Sequence, residues 1–232
     1  VSITGILLGL ILPPGFPLWM AAVGGFIAVG PGKMLFGGLG FNVFNPALVG
    51  RAFLQAAFPA AIMGYSQPLA PGRFTEFIPS TLALPLMKAA PLAALSSATP
   101  LGLQKFDHIP TMLSALFFGE RAGSLGETCA PLILLCGVYL VYRHMMDWRI
   151  PAAMLLGVVV FGGIFHLTNP SLYPSPLVQV LSGGLMLGAV FMATDPVASP
   201  VTPLGMWIYG IVMGLLTVLI RYLGGLAEGV MY

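Results

Sequence analysis

Of the 232 residues, 58% are hydrophobic and 7% are charged, whereas a soluble domain carries about 25% charged residues. Nine basic and seven acidic side chains are too few to cover a water-facing surface, which excludes a soluble globular class and makes the lipid bilayer the main solvent. A net charge of +2 gives no nucleic-acid signature. The two cysteines, Cys129 and Cys136, exclude a disulfide framework and a four-ligand metal set and read as buried small hydrophobes.

In chain order, Ile3 to Leu12 is apolar and stops at Pro13-Pro14. Leu18 to Val29 stops at Gly30-Pro31-Gly32, and Ala47 to Met63 is broken by Pro59. Proline removes a backbone donor and clashes with the preceding turn, so these segments read as half-helices. Four spans of more regular character follow: Ala130 to Tyr142, Ile150 to Leu167, Leu177 to Ala193 and Gly205 to Leu223. With 30 Gly and 21 Pro, the expected fold is an all-α polytopic membrane protein, a helical bundle whose broken or re-entrant half-helices line a protected cavity. The chain starts at Val1 inside an apolar stretch, without an initiator Met. It reads as a single transmembrane domain over 1–232, a fragment lacking N-terminal helices.

Two passages resemble each other: Gly37 to Phe53 and Gly188 to Gly205. Each runs from small and aromatic residues into a polar residue plus proline, Asn45-Pro46 and Asp195-Pro196. Asn or Asp caps a helix that starts after it, and proline suits the first helical position. Both are expected to open a half-helix within an inverted repeat. Arg143 to Arg149 is the densest charge cluster between two spans. The bias of basic residues towards the cytoplasm places that loop inside and Thr99 to Thr128, with Lys105, Asp107, Glu120, Arg121 and Glu127, outside.

Leu95-Ser96-Ser97-Ala98-Thr99-Pro100-Leu101 is, by residue type alone, a helix-terminal turn: Ser and Thr bond back to local backbone, and Pro100 keeps Thr99 extended. The segment also resembles the Ser/Thr-Gly-Ala-Thr flavin attachment motif of a membrane-protein family with two branches. One is the D-type membrane protein of the Rnf electron-transport complex (RnfD), and the other is the homologous B-type protein of the sodium-pumping NADH:quinone reductase (NqrB). Gly40 to Phe53, with Asn45-Pro46-Ala47, is similar to that family's Asn-Pro-Ala segment, and Gly123-Ser124-Leu125-Gly126-Glu127-Thr128 to its Gly-Ser-x-Gly-Glu turn. Trp148-Arg149-Ile150-Pro151 and Ala193-Thr194-Asp195-Pro196-Val197 are similar to two more family segments. The resemblance implies FMN joined through its phosphate to Thr99, with Ser96, Ser97 and Ala98 completing the binding motif, and allows a second, non-covalent riboflavin. Two positions depart from the motif: Ser97 replaces its glycine, and Ala93 replaces an aspartate six residues before the threonine. The Ala-Thr-Pro-Leu core is retained.

A phosphodiester is anionic, so Lys105 and Arg121, in the same expected external segment, are candidate cations beside it. Ionisable residues at membrane depth are functional candidates by default. Asp195 and Arg51 would meet if the two repeat-like turns came together, and they read either as an ion-pathway or cofactor contact or as a structural cap or buried pair. His166 reads as an interfacial side chain, and Glu127 as a cap for the helix that follows or a participant in transport. The chain has no phosphate-binding Gly-x-x-x-x-Gly-Lys loop, no dinucleotide Gly-x-Gly-x-x-Gly and no Cys-x-x-Cys cluster. NADH and iron–sulfur chemistry therefore belong to partner subunits.

By this resemblance the chain is a bacterial inner-membrane, multi-pass component of an ion-translocating ferredoxin:NAD oxidoreductase. It would pass electrons through flavin, coupled to Na⁺ or H⁺ movement, and would be catalytic only within the complex. The implied partners are iron–sulfur and NAD-binding subunits and a flavin transferase. The B-type protein of the quinone reductase, a flavin-free solute channel of similar fold and a scaffold protein without flavin remain alternatives.

Overall fold

A computed structural model describes residues 1–38, 40–65, 99–106, 112–170 and 172–224. Every regular element among them is helical. Contacts divide the chain into two compact units, Val1–Thr99 with Glu120–Gly126, and Pro100–Gly119 with Glu127–Tyr232.

In the first unit, α1 (Ser2–Leu10) ends just before Pro13-Pro14, and α2 (Leu18–Val29) runs on into a five-residue π-helical turn, Gly30–Met34. The Gly30-Pro31-Gly32 stop predicted from sequence is thus a widened turn. Leu35 N–H donates to the Gly30 carbonyl at 3.0 Å, the i to i−5 spacing of a π turn, and Pro31 in its first turn has no N–H to donate. α3 (Pro46–Ala57) starts as expected: Asn45 accepts from Ala47 N–H at 3.0 Å, and Pro46 occupies the first turn. The break at Pro59 is also present, with α4 (Pro59–Ile62) beyond it. α2 and α3 pack through small residues. A Cβ added at Gly50 would lie 2.7 Å from the Gly24 carbonyl oxygen and 2.8 Å from the Ala28 Cβ, a Gly24-x-x-x-Ala28 face of the kind that brings membrane helices together.

Proline leaves the end of α1 with carbonyls that no helical N–H can reach. The first unit satisfies them from elsewhere. Gly126 N–H donates to the Leu10 carbonyl at 2.8 Å and Leu125 N–H to the Leu12 carbonyl at 3.3 Å. The Arg51 guanidinium, only 1% exposed, donates to the Ile11 carbonyl. A Cβ at Gly126 would lie 2.8 Å from the Leu10 Cβ, so the glycine of the Gly-Ser-x-Gly-Glu turn has a steric reason: it admits this approach.

The second unit contains α5 (Pro100–Phe106), α6 (Leu113–Phe118), α7 (Ala130–Tyr142), α8 (Arg149–Thr168), α9 (Pro176–Leu181), α10 (Leu185–Leu187) and α11 (Pro203–Leu223). Among the described residues, α8 and α11 are the helices long and apolar enough to cross a membrane. They run side by side in the same direction: a Cβ at Gly210 would lie 2.5 Å from the Ala153 Cβ, and one at Gly214 would lie 2.6 Å from the Met154 carbonyl oxygen. Ala153-x-x-x-Gly157 thus faces Gly210-x-x-x-Gly214. Ile150, Met154, Val158, Leu185, Ala189 and Val218 form the buried core beside this contact.

Three sequence expectations are corrected here. Leu177 to Ala193 is not one span. It is α9, a break at Ser182-Gly183-Gly184, then α10 and a second π turn, Gly188–Met192. Gly183 adopts φ +64°, a left-handed conformation that stops the helix and that glycine adopts at little cost. Asp195-Pro196 opens a turn, not a half-helix: Asp195 accepts from Val197 N–H at 3.2 Å, and Pro200 has no N–H to donate to the Pro196 carbonyl. The helix starts instead at Pro203, capped by Thr202, which accepts from Gly205 N–H. Finally, Cys136 is exposed, on the side of α7 that also carries exposed Leu132, Leu135 and Tyr139, while Ile133 and Gly137 face inward.

Candidate functional site

Thr99 is half-buried and stands immediately before α5, with Pro100 as the first helical residue. Ser96, Ser97, Ala98 and Ala93 lie outside the described residues. On α5, Leu101, Gln104 and Lys105 follow the i, i+3, i+4 spacing of one helix face. That face lines a cavity of about 190 Å³ within the second unit.

The loop after α8 contributes Leu172, Tyr173 and Pro174, α9 contributes Gln179, and the last turn of α11 contributes Arg221 and Tyr222. The two tyrosine rings lie 4.6 Å apart at 52°. Phe165 sits edge-on behind both, at 5.4 Å from Tyr173 and 5.2 Å from Tyr222. His166 fixes the loop: its Nδ1–H donates to the Tyr173 carbonyl at 2.7 Å, which gives this side chain a positioning part.

Two cations border the cavity. Lys105 Nζ donates to the carbonyls of Arg221 at 2.6 Å and Gly224 at 2.5 Å, favourable partners at the end of a helix. Burial holds the Lys105 ammonium below its ordinary pKa. Arg221, 3% exposed, donates to the Gln179 carbonyl at 2.5 Å, the Gln179 Oε1 at 3.1 Å and the Ser182 carbonyl at 2.9 Å. It thereby supplies donors where the break after α9 frees backbone acceptors. Gln104 Oε1 is buried and has no hydrogen-bond partner among the described residues.

Of the cations named from sequence, Lys105 lines this cavity, and Arg121 is buried in the first unit. Asp107 lies outside the described residues. Arg51 and Asp195 belong to different units: Arg51 donates to the Ile11 carbonyl, and Asp195 accepts from Val197 N–H. Glu127 is buried three residues ahead of α7, whose N-terminus has no side-chain cap. Gln104, Tyr173, Gln179 and Tyr222 carry no motif. Arg221 carries a signal of the same kind as Arg51, an ionisable side chain within an apolar stretch.

A cavity walled by tyrosines and aliphatic residues, with two cations and two carboxamides at its border, suits a flat aromatic group with a polar, anion-forming edge. The D-type component of the proton-translocating ferredoxin:NAD⁺ oxidoreductase complex of Clostridium ljungdahlii is 38% identical over 99% of this chain and 67% of its own length. Its counterpart in the Na⁺-translocating ferredoxin:NAD⁺ oxidoreductase complex of Acetobacterium woodii is 40% identical over 99% of this chain and 65% of its own. The B-type component of the Na⁺-translocating NADH-quinone reductase of Azotobacter vinelandii is 38% identical, again over 99% of this chain but 54% of its own length. The chain therefore spans about two thirds of the D-type relatives and about half of the B-type relative. Residues 1–232 match the NQR2, RnfD, RnfE family throughout, and with relatives this similar along its whole length, the chain belongs to that family.

Proposed function

We propose that this chain is a multi-pass inner-membrane component of an Rnf-type ion-translocating oxidoreductase and carries FMN on Thr99 through a phosphoester. The observation that carries the proposal is the position of Thr99. It is half-buried, at the start of the short helix whose Leu101, Gln104 and Lys105 line the aromatic cavity. Similarity to D-type components of complexes named for ferredoxin and NAD⁺ supports membership in such a complex, with the quinone-reductase type as the second reading.

A membrane setting is supported by the second unit's two ends. Trp148 and Trp207 pair edge to face at 6.1 Å near the starts of α8 and α11, and Arg143 and Arg149 flank Trp148 in the chain. Phe165, Tyr173 and Tyr222 cluster near the other end. Trp207 and Tyr222 are fifteen residues apart on one helix, roughly 22 Å, which puts aromatic side chains towards both ends of a helix crossing a hydrocarbon core of roughly 30 Å. With the arginine end inside, the cavity lies on the outer side, as does Thr99 in the sequence reading.

The residues fit the group. Gln104 offers an acceptor without a protein partner among the described residues, Tyr173 and Tyr222 offer aromatic faces, and Lys105 and Arg221 offer positive charge. Bound FMN supplies one- and two-electron transfer. The chain holds the group in place through Thr99, walls it with side chains that exclude water, and sets its electrostatics. Ferredoxin, NAD⁺ and iron–sulfur chemistry reside on partner subunits, and a transferase makes the phosphoester.

The test is in-gel flavin fluorescence of the denatured full-length protein, co-expressed with its flavin transferase, beside a Thr99→Ala variant. A band that vanishes in the variant is the expected result. Absence of any band, with a transferase that loads a control substrate, would overturn the flavin assignment and favour a scaffold or solute pathway.

A further inference from the structure

We propose that the cavity between Tyr173, Tyr222 and α5 seats the isoalloxazine ring of the flavin on Thr99, with Gln104 accepting from the ring imide N–H and Lys105 and Arg221 raising its reduction potential. This inference rests on the Thr99 assignment and extends it from the tether to the ring.

Size is the first argument. At about 190 Å³ the cavity is more than ten times the roughly 10–15 Å³ that one water needs. It is smaller than the roughly 300 Å³ at which sites for whole drug-sized ligands begin. It therefore accepts a fused ring system and leaves a ribityl phosphate arm outside. Reach agrees with size: Lys105 lies five residues along α5 from Pro100, about 8 Å, a distance the ribityl phosphate arm covers from Thr99.

Chemistry is the second argument. An isoalloxazine is flat and aromatic over its benzenoid side and ends in a pyrimidine edge of acceptor, donor, acceptor. Leu101, Leu172, Pro174 and the tyrosine rings match the first part. The buried Gln104 Oε1, an acceptor with no protein donor among the described residues, matches the imide N–H, and a buried acceptor left unmatched is destabilising. A flavin seated here would supply one- and two-electron chemistry, and with two electrons from the iron–sulfur chemistry of partner subunits and one proton it would carry a negative charge on the pyrimidine edge. Lys105 and Arg221 stabilise that charge and so favour the reduced form.

The experiment uses the full-length chain in the purified complex, with the Thr99→Ala complex subtracted so that only this flavin is read. Lys105→Gln, Lys105→Arg, Gln104→Leu and Tyr173→Leu are compared. Covalent loading is read for each in the denaturing gel, and potential and fluorescence are compared per loaded flavin. Lys105→Gln shifts the reduction equilibrium at least tenfold towards the oxidised form, about 30 mV for a two-electron couple, and Lys105→Arg restores it. Tyr173→Leu raises native flavin fluorescence because a quenching phenol is removed. Gln104→Leu, which retains side-chain volume, removes an acceptor that disfavours negative charge on the pyrimidine edge, so it raises the potential and provides the second probe should Tyr173→Leu fail to accumulate. Normal loading with unmoved potential and fluorescence would overturn the ring assignment alone. Absence of loading in the wild-type chain would overturn the Thr99 reading itself.

Discussion

Adding one methyl group at Gly214 tests the packing that holds the second unit together. A Cβ there would lie 2.6 Å from the Met154 carbonyl oxygen, 3.0 Å from the Gly157 Cα and 3.0 Å from the Val158 nitrogen. All three are backbone atoms, so no side chain can turn aside, and α8 and α11 must separate by about 0.5–1 Å. A gap of that size forfeits a quarter to a half of each contact's attraction, and overpacking typically costs about 1–3 kcal/mol. Helix propensity returns up to about 1 kcal/mol on replacing glycine with alanine. Gly25→Ala provides the control, because nothing lies within 4 Å of the added Cβ in α2 and only the propensity gain remains. Gly214→Ala should therefore be less stable than Gly25→Ala by about 1–3 kcal/mol, or roughly 2–12 °C at about 2–4 °C per kcal/mol for a chain of this size. The assay is the apparent melting temperature of the detergent-solubilised full-length protein, followed by size-exclusion chromatography of a fluorescent fusion at one heating schedule. Equal melting temperatures for the two variants would refute a close α8 to α11 contact through Gly214.

Other perturbations reach different parts of the structure. Asn45→Ala removes the acceptor for Ala47 N–H and should cost about 0.5–2 kcal/mol, visible as a melting temperature lower by a few degrees. Arg221→Met removes the donors to Gln179 and Ser182. Bonds from a charged donor are worth about 1.5–3 kcal/mol each, less the relief of no longer burying a guanidinium, so the net loss should be about 2–4 kcal/mol. Arg221→Lys should recover part of it, because a single ammonium cannot reproduce the planar fork. Limited proteolysis near Ser182 would show the break loosening in both variants, more strongly in the methionine one.

Backbone punctuation made much of the first unit legible. Pro13-Pro14 marks the end of α1, Asn45-Pro46 begins α3 and Pro59 separates α4, each through a local property of proline or a capping side chain. The break at Ser182-Gly183-Gly184 was hidden by its apolar surroundings. Composition alone could not show that the freed carbonyls find a donor in Arg221, 39 residues on from Ser182. Asp195-Pro196 misleads for the opposite reason, since its local pattern resembles a helix start while Pro200 blocks the helix. At the site, the short motif ending in Thr99 is readable as sequence. The cavity is not, because it depends on contacts such as that of Lys105 with the Arg221 carbonyl, 116 residues distant.

Both units solve the same physical problem in related ways. A helix interrupted inside an apolar bundle leaves carbonyls that lipid cannot satisfy, and in each unit a buried arginine donates to them from a helix packed nearby. Arg51 on α3 reaches the Ile11 carbonyl at the end of α1, and Arg221 on α11 reaches the Ser182 carbonyl at the end of α9. In each unit the break is followed by a helix that widens into a π turn, at Gly30–Met34 and at Gly188–Met192. A polar residue plus proline comes next, and then the arginine-bearing helix. This shared order is a firmer basis for an internal repeat than the similarity of Gly37 to Phe53 and Gly188 to Gly205, because it joins chain order to a common energetic need. The units differ in what surrounds the arginine. Arg51 shares its task with the backbone of Leu125 and Gly126, whereas Arg221 also borders an aromatic cavity beside α5. In the second unit, the group that closes a broken helix is therefore also placed to act electrostatically on whatever that cavity holds.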